Sequence, residues 1–271
     1  YINVEAVPEF QQSDRLKAEV ASPAFQQHLA DLRAKENVDY TGVIQTKLGM
    51  LRQVFDEATL SAERQAAFDA FVAAGGDSLQ QQAAFDALQA HFYAKGENAW
   101  GWPVWPQEYR DPASKAVTQF AKQHKAELDF YCYLQFIAQQ QLAAAQQVAK
   151  EAGMLLGLYR DLAVGVSEAS TEIWANPDLY CRDAGVGAPP DPLGPAGQNW
   201  GLPPMYPYQL YKQGYQPFID LLHANMQHAG ALRIDHVMAL LRLWWVPKMA
   251  ENAGGGAYVY YPIMDLLGIL A

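Results

Sequence analysis

The chain reads as an α/β protein built on a parallel sheet, and three observations predict this. A long helical run, a glycine, a short apolar strand and an Arg/Asp pair follow one another in residues 127–161. The same order returns in residues 215–235. Helix and strand alternating in this way are what βα repeats around a parallel barrel produce. Finally, 271 residues with 51% hydrophobic content suffice to bury a large core.

Taken in order, Ile2 to Val7 is strand-like until Pro8 breaks it, and Ser22-Pro23 marks a helix start. From Val43 to Phe92 the chain is helical, and Ala66-Ala67-Phe68-Asp69-Ala70 recurs at Ala83 to Ala87 with Gly75-Gly76 between. Two copies are too few for a solenoid, so this is read as two amphipathic helices of an added subdomain. Trp100 to Pro106 is too rich in Pro and Gly for regular structure. Glu127 to Glu151 is a helix marked by Phe130, Leu134, Ile137 and Leu142. Gly153 ends it, Met154 to Leu158 forms a strand, and Arg160-Asp161 stands at that strand's end.

The stretch from Asn176 to Pro207 is a long loop dense in Pro and Gly, of a length that is usually functional or disordered, and its aromatic residues favour function. Tyr215 to Ala229 carries Phe218, Leu221, Leu222 and Met226 at helical spacing, with Gly230 as its stop. Ala231 to Ile234 reads as a short buried strand, and Val237 to Trp245 is apolar enough to begin another buried helix. Gly254-Gly255-Gly256 reads as a flexible connection. The chain opens on Tyr1 and stops inside the apolar helical run Ile263 to Ala271, which would expose Leu266, Leu267, Ile269 and Leu270 together. It is therefore read as an internal fragment of a longer protein.

Charge and cysteine usage exclude several classes. A net charge of −10 argues against nucleic acid or anionic membrane as partner, since both need clustered Lys and Arg. No segment has the apolar length of a transmembrane helix, and the first residues are no signal peptide. Cys132 and Cys181 set no disulfide framework, so a reducing cytoplasm is the default location. Oligomeric state is not legible.

The chemistry concentrates in Leu232-Arg233-Ile234-Asp235-His236. Residues two apart on a strand share a face, so Arg233 and Asp235 point the same way. A guanidinium beside a carboxylate keeps it ionised. An anionic carboxylate at a barrel mouth is what a covalent nucleophile of sugar chemistry requires. The plainer alternative is a structural ion pair, and the second Arg/Asp unit at Arg160-Asp161 is what raises the catalytic reading. His236 falls on the opposite strand face or begins the next turn, in a core or supporting role.

Other motifs carry less. Gly185-x-Gly187 is no dinucleotide fingerprint, because Pro189-Pro190 follow where a helix must begin. The six histidines are scattered, and His223 and His228 lie roughly 140° apart on a helix, so no metal is expected. No Lys-Ser/Thr follows the triple glycine, and no Ser-His-Asp or Cys-His context exists. Trp200, between glycines in the long loop, is either a loop anchor or a stacking platform for a sugar. With Trp100, Trp102, Trp105, Tyr206 and Tyr208, a carbohydrate cleft and plain loop packing account for the aromatics equally well.

Together these residues resemble the 4-α-glucanotransferases (amylomaltase, disproportionating enzyme) of glycoside hydrolase family 77, in its long bacterial branch. The likeness rests on Gly157-Leu-Tyr-Arg-Asp161-Leu-Ala-Val-Gly-Val166 with Trp174 downstream, Gly187-Ala-Pro-Pro-Asp191 and Gly197-Gln-Asn-Trp-Gly-Leu-Pro-Pro204. Ala231-Leu-Arg-Ile-Asp-His-Val237, Arg242-Leu-Trp-Trp-Val-Pro247 and Gly256-Ala-Tyr-Val-Tyr-Tyr-Pro262 complete it, with Tyr1-Ile-Asn-Val as a looser match.

The resemblance implies part of a (β/α)8 TIM barrel with an inserted, mainly helical subdomain. Residues 1–126 would hold an N-terminal barrel segment and that insert. Residues 127–271 would hold barrel βα units with the nucleophile strand and the active-site loop 176–207, and the C-terminal half of the barrel would be absent. The implied reaction is a retaining transfer of α-1,4-glucan segments between maltooligosaccharides, with no cofactor. In it Asp235 is the nucleophile and Arg233 the arginine that orients it. Asp161 lines the site, and Asp191, Asn199 and Trp200 belong to a flap over the glucan. His236 is counted with the substrate-binding residues.

The departure is the family's general acid/base, a Glu after the nucleophile strand. Glu251 is the only glutamate after Asp235, and it lies in a Gly-rich loop. The chain shown would then be inactive alone. An α-glucan hydrolase and a catalytically inactive carbohydrate-binding fragment are the alternatives.

Overall fold

A computed structural model describes residues 2–96 and 100–271, and Tyr1, with its part in the sequence likeness, lies outside the described residues. The chain packs as two compact units, residues 1–87 with 121–142 and residues 88–120 with 143–271.

The first unit is helical. Its helices include Pro8–Gln12, Asp14–Ala21, Pro23–Arg33 and Tyr40–Glu57, with the leading parts of Ala62–Ala94 and Lys125–Glu151. The starts follow capping rules: the Ser13 hydroxyl accepts from the Leu16 N–H, and Ser22 from the Phe25 N–H with Pro23 as first helical residue. The predicted break at Gly75-Gly76 is a kink, where Gly76 takes φ +50 inside the helix Ala62–Ala94. Phe10, Leu16, Val54, Phe68, Tyr133 and Ile137 are buried in this unit. Beside them, Arg64 and the Tyr133 hydroxyl both donate to the Glu9 carboxylate, whose side chain is 3% exposed. Burial opposes ionisation there, but the hydrogen bonds from Arg64 and Tyr133 outweigh it and hold the carboxyl below the ordinary range. The strand-like reading of Ile2 to Val7 is corrected: Val4–Ala6 is a 3₁₀ turn, and Pro8 opens a helix because proline fits the first helical position.

The second unit carries the strands, named in chain order: β1 Tyr159–Leu162, β2 Ala184–Ala188, β3 Gln198–Leu202, β4 Ala231–Ile234, β5 Arg242–Pro247 and β6 Ala257–Tyr260. β1 and β4 pair in parallel, and the other four form an antiparallel sheet in the order β3-β2-β5-β6. Trp105 and Trp174 are buried, with ring centroids 6.1 Å apart, and Phe92 packs 5.6 Å from Trp105.

Several expectations change. The strand expected at Met154 to Leu158 starts at Tyr159, so Arg160 and Asp161 lie within it instead of following it. Gly153 (φ +85) ends the preceding helix in a Schellman turn, its N–H on the Lys150 carbonyl and the Met154 N–H on that of Ala149. The long loop 176–207 contains β2 and β3. Glycines at 185 and 187 lower strand propensity, yet the pairing requires them, because a Cβ at Gly187 would overlap the Gln198 carbonyl.

Gly230 is no helix stop. The helix Gln216–Met226 ends ahead of His228, which takes φ +54, while Gly230 lies against the Leu156 carbonyl where no Cβ fits. Its N–H donates to the Leu158 carbonyl at 2.9 Å, bringing the start of β4 beside β1. β4 has the predicted bounds but is only partly buried, with Arg233 exposed. No helix starts at Val237; a 3₁₀ turn Val237–Leu240 leads into β5, which pairs with β2 and β6 as a strand. The triple glycine is ordered in the turn Ala253–Gly255, where the Asn252 side chain accepts from the Gly254 N–H. The last helix, Ile263–Leu270, buries Leu266, so the three leucines and the isoleucine are not exposed together.

Candidate active site

The parallel register sets Asp161 directly opposite Arg233. Residues in direct register on neighbouring strands share a face, and the side chains meet there. Arg233 Nη1 donates to both carboxylate oxygens of Asp161 at 2.9 Å, and Nη2 donates to Asp235 Oδ1 at 2.8 Å. One guanidinium therefore bridges two carboxylates. Hydrogen bonding to Asp161, then the charges of Asp161 and Asp235, raise the Arg233 pKa further above its ordinary value.

All three side chains are about half exposed, 49% for Arg233, 62% for Asp161 and 54% for Asp235, so a ligand can reach the carboxylates. As a surface ion pair the cluster would contribute little to stability. Its value is positional, because a planar two-armed donor fixes both carboxylates in one plane.

Asp235 lies just past β4, where the backbone turns sharply. His236 takes φ 47 and ψ 49, a left-handed conformation uncommon outside glycine. That turn presents the half-buried imidazole edge-to-face to Trp200, with ring centroids 5.2 Å apart at 84°. Trp200 is steadied by its own Nε1–H, which donates to Gln198 Oε1 at 2.9 Å. The aromatic residue of the long loop thus stands beside the carboxylate cluster, through the residue next to Asp235.

Two predicted site residues do not join this group. Asp191 Oδ1 accepts the N–H groups of Leu193 and Gly194 at 2.8 and 2.6 Å, closing an Asx turn in its own loop. Asn199 Oδ1 accepts the Gly201 N–H at 3.0 Å within β3. The loop aromatics divide: Trp102 and Trp105 are buried, while Trp100, Tyr206 and Tyr208 are exposed. Packing claimed the first two. Among the described residues, no group of three or more His, Cys, Asp and Glu is placed to hold a metal, and no helix is long and apolar enough to cross a membrane. Both cysteines are free.

Sequence reasoning passed over Glu172, on the short helix Thr171–Ala175. Burial raises its pKa against the pull of hydrogen bonds from Tyr180 and Asn176. Those contacts, at 3.4 Å to the Tyr180 hydroxyl and 3.3 Å to Asn176, fasten the entry to the long loop. The Glu172/Asn176 spacing of one helical turn was the available signal.

The sequence profile of the 4-alpha-glucanotransferase family matches residues 1–271. The chain is 41% identical to a 4-alpha-glucanotransferase of Haemophilus influenzae, over all of this chain and 40% of that protein. It is 36% identical to one from Mycobacterium tuberculosis, over all of this chain and 36% of that protein. The chain thus spans well under half the length of these curated relatives. Among solved structures it resembles amylomaltase from Corynebacterium glutamicum (TM-score 0.79, 33% identity, 100% of this chain and 35% of that one). It shares the fold of an amylomaltase from Streptococcus agalactiae solved with acarbose (TM-score 0.78, 19% identity, 95% and 52% of the two chains).

Proposed function

The chain belongs to the 4-alpha-glucanotransferase family and has part of its (β/α)8 barrel, and from that premise we propose that its protein transfers α-1,4-glucan segments between maltooligosaccharides by a retaining mechanism. The observation that carries the reading is the bridge from Arg233 to Asp161 and Asp235 at the end of the parallel pair.

In the proposed reaction an Asp235 oxygen attacks the anomeric carbon, and the bond to the leaving glucan oxygen breaks as that oxygen takes a proton. The covalent glucosyl-Asp235 ester is then attacked by the 4-hydroxyl of an acceptor glucan. The hydroxyl gives up its proton, Asp235 returns as carboxylate, and two inversions leave the α configuration unchanged. Arg233 fixes the carboxylate for in-line attack, and Asp161 holds Arg233 from the neighbouring strand while lining the site. Asp191, Asn199, Trp200 and His236 are proposed to bind the glucan, with Trp200 and His236 as the aromatic wall beside Asp235.

The proton donor is proposed to be a carboxyl outside residues 1–271. Glu251, the one glutamate after Asp235 within these residues, is exposed in the bend between β5 and β6, without the burial that keeps a proton donor's carboxyl protonated. The free thiols of Cys132 and Cys181 accord with a cytoplasmic location.

The half-open site supplies one competing reading, an α-glucan hydrolase in which water intercepts the ester. Incubating the intact protein with maltotriose decides between them. A ladder of longer glucans supports transfer, while glucose and maltose alone would replace it with hydrolysis.

A further inference from the structure

Apart from the Arg233 cluster, the second unit contains a cleft of about 430 Å³ between the segment that follows Trp102 and the turn at Arg182. That volume falls in the range of small-molecule sites, about 300–1,000 Å³. Two guanidinium groups line it, Arg110 and Arg182. Arg110 uses Nε on the Trp105 carbonyl at 2.6 Å, and Arg182 lies 5.4 Å over the Trp102 ring. Among the described residues neither forms an ion pair, although the chain carries a net charge of −10. The lining has a single acid, Asp111, whose Oδ1 is engaged by the Ala113 N–H at 2.9 Å.

We propose that this cleft binds a hexose phosphate. Two arginines free of carboxylates supply the forked donors that suit a phosphate dianion. Arg182 rests on a buried ring: Trp102 is 5% exposed and its Nε1–H donates to the Glu168 carbonyl at 2.9 Å, which limits the reorganisation needed on binding. Pro103 and Pro177 give apolar walls for the CH face of a pyranose, and Gln107 and the second oxygen of Asp111 can meet its hydroxyls. The cleft shares no residue with the carboxylate cluster. Arg182 stands two residues before β2, at the end of the sheet where the Lys248 N–H meets the Asp183 carbonyl. The proposal does not depend on the transferase reading.

Isothermal titration of the intact protein tests it, with glucose 6-phosphate, glucose and inorganic phosphate as probes. Glucose 6-phosphate is expected to bind in the millimolar range or tighter, with glucose silent and inorganic phosphate at least about fivefold weaker. Arg110→Gln and Arg182→Gln should each weaken binding at least about tenfold, and Arg182→Lys less, since it keeps the charge. Maltotriose should not displace the bound phosphate ester. Silence up to about 10 mM, affinity unmoved by both glutamine variants, or equal affinity for inorganic phosphate would overturn it. Should Arg182→Gln lose its far-UV circular dichroism, the exposed Arg110 decides alone.

Discussion

Asp161 and Arg233 face each other across two parallel strands, and the arm of Arg233 not spent on Asp161 reaches Asp235. The strand carrying Asp161 therefore controls where the carboxylate on the next strand points. This arrangement makes Asp235 the residue whose loss should be felt most. In the intact protein Asp235→Asn is expected to cut transfer from maltotriose by between about 10⁴- and 10⁶-fold, the scale of losing a covalent nucleophile. Glucan binding should persist in affinity electrophoresis. Strong residual transfer would remove the assignment.

Arg233→Lys tests the bridge. A lysine is a point charge and cannot span two carboxylates in one plane. The expected result is a fall in kcat on the order of 10²-fold from misplacement of Asp235, with KM changed much less. The melting temperature should barely move, because all three side chains are open to solvent.

Trp200→Ala removes the ring that stands edge-on to His236. The expected effect is a larger share of hydrolysis, read as free glucose released per transfer event, because the ester on Asp235 loses its aromatic wall. An unchanged ratio would mean that Trp200 only anchors its own loop.

Gly230→Ala places a Cβ into the Leu156 carbonyl. Destabilisation of about 1–3 kcal/mol, as in overpacked cores, is expected in urea melts. Activity should fall with it, since β4 carries Arg233.

Glu9 predicts an acid dependence. Its folded-state carboxyl titrates below the ordinary range, so its contribution is complete above the unfolded value of about 4.3 and is lost as pH falls from there through the lower folded-state value. Glu9→Gln should lower stability by about 3–5 kcal/mol at neutral pH, because Arg64 loses its buried partner, and should flatten that acid limb.

Much of this was legible from residue order. The bounds of β4, the helix to Glu151, its stop at Gly153 and the kink at Gly76 all follow from local rules of period and cap. That Arg233 and Asp235 point the same way was legible from their spacing of two, although Asp235 lies just past the strand. What escaped depended on partners distant in sequence. Gly185 and Gly187 spoke for a loop, yet they are strand residues because β3 lies so close. Gly230 imitated a helix cap while serving a backbone contact 74 positions upstream, at Leu156. Trp102 and Trp105 fitted a sugar cleft and loop packing equally, because nothing local marks a buried tryptophan in a Pro-rich turn.

The parallel pair also dictates an order of folding. β1 and β4 are joined only after a separation of 72 residues has been closed, and among the described residues each has just this one strand partner. Closing so long a loop is entropically costly before any contact rewards it, so the helix Gln216–Met226, a local structure inside that loop, is expected to form first. The amides of β4 should then gain protection later than those of the helix Gln216–Met226 in pulsed hydrogen exchange. The Arg233 bridge to Asp161 and Asp235 would be assembled only when β1 and β4 had paired, so a nascent chain would carry no carboxylate cluster before then.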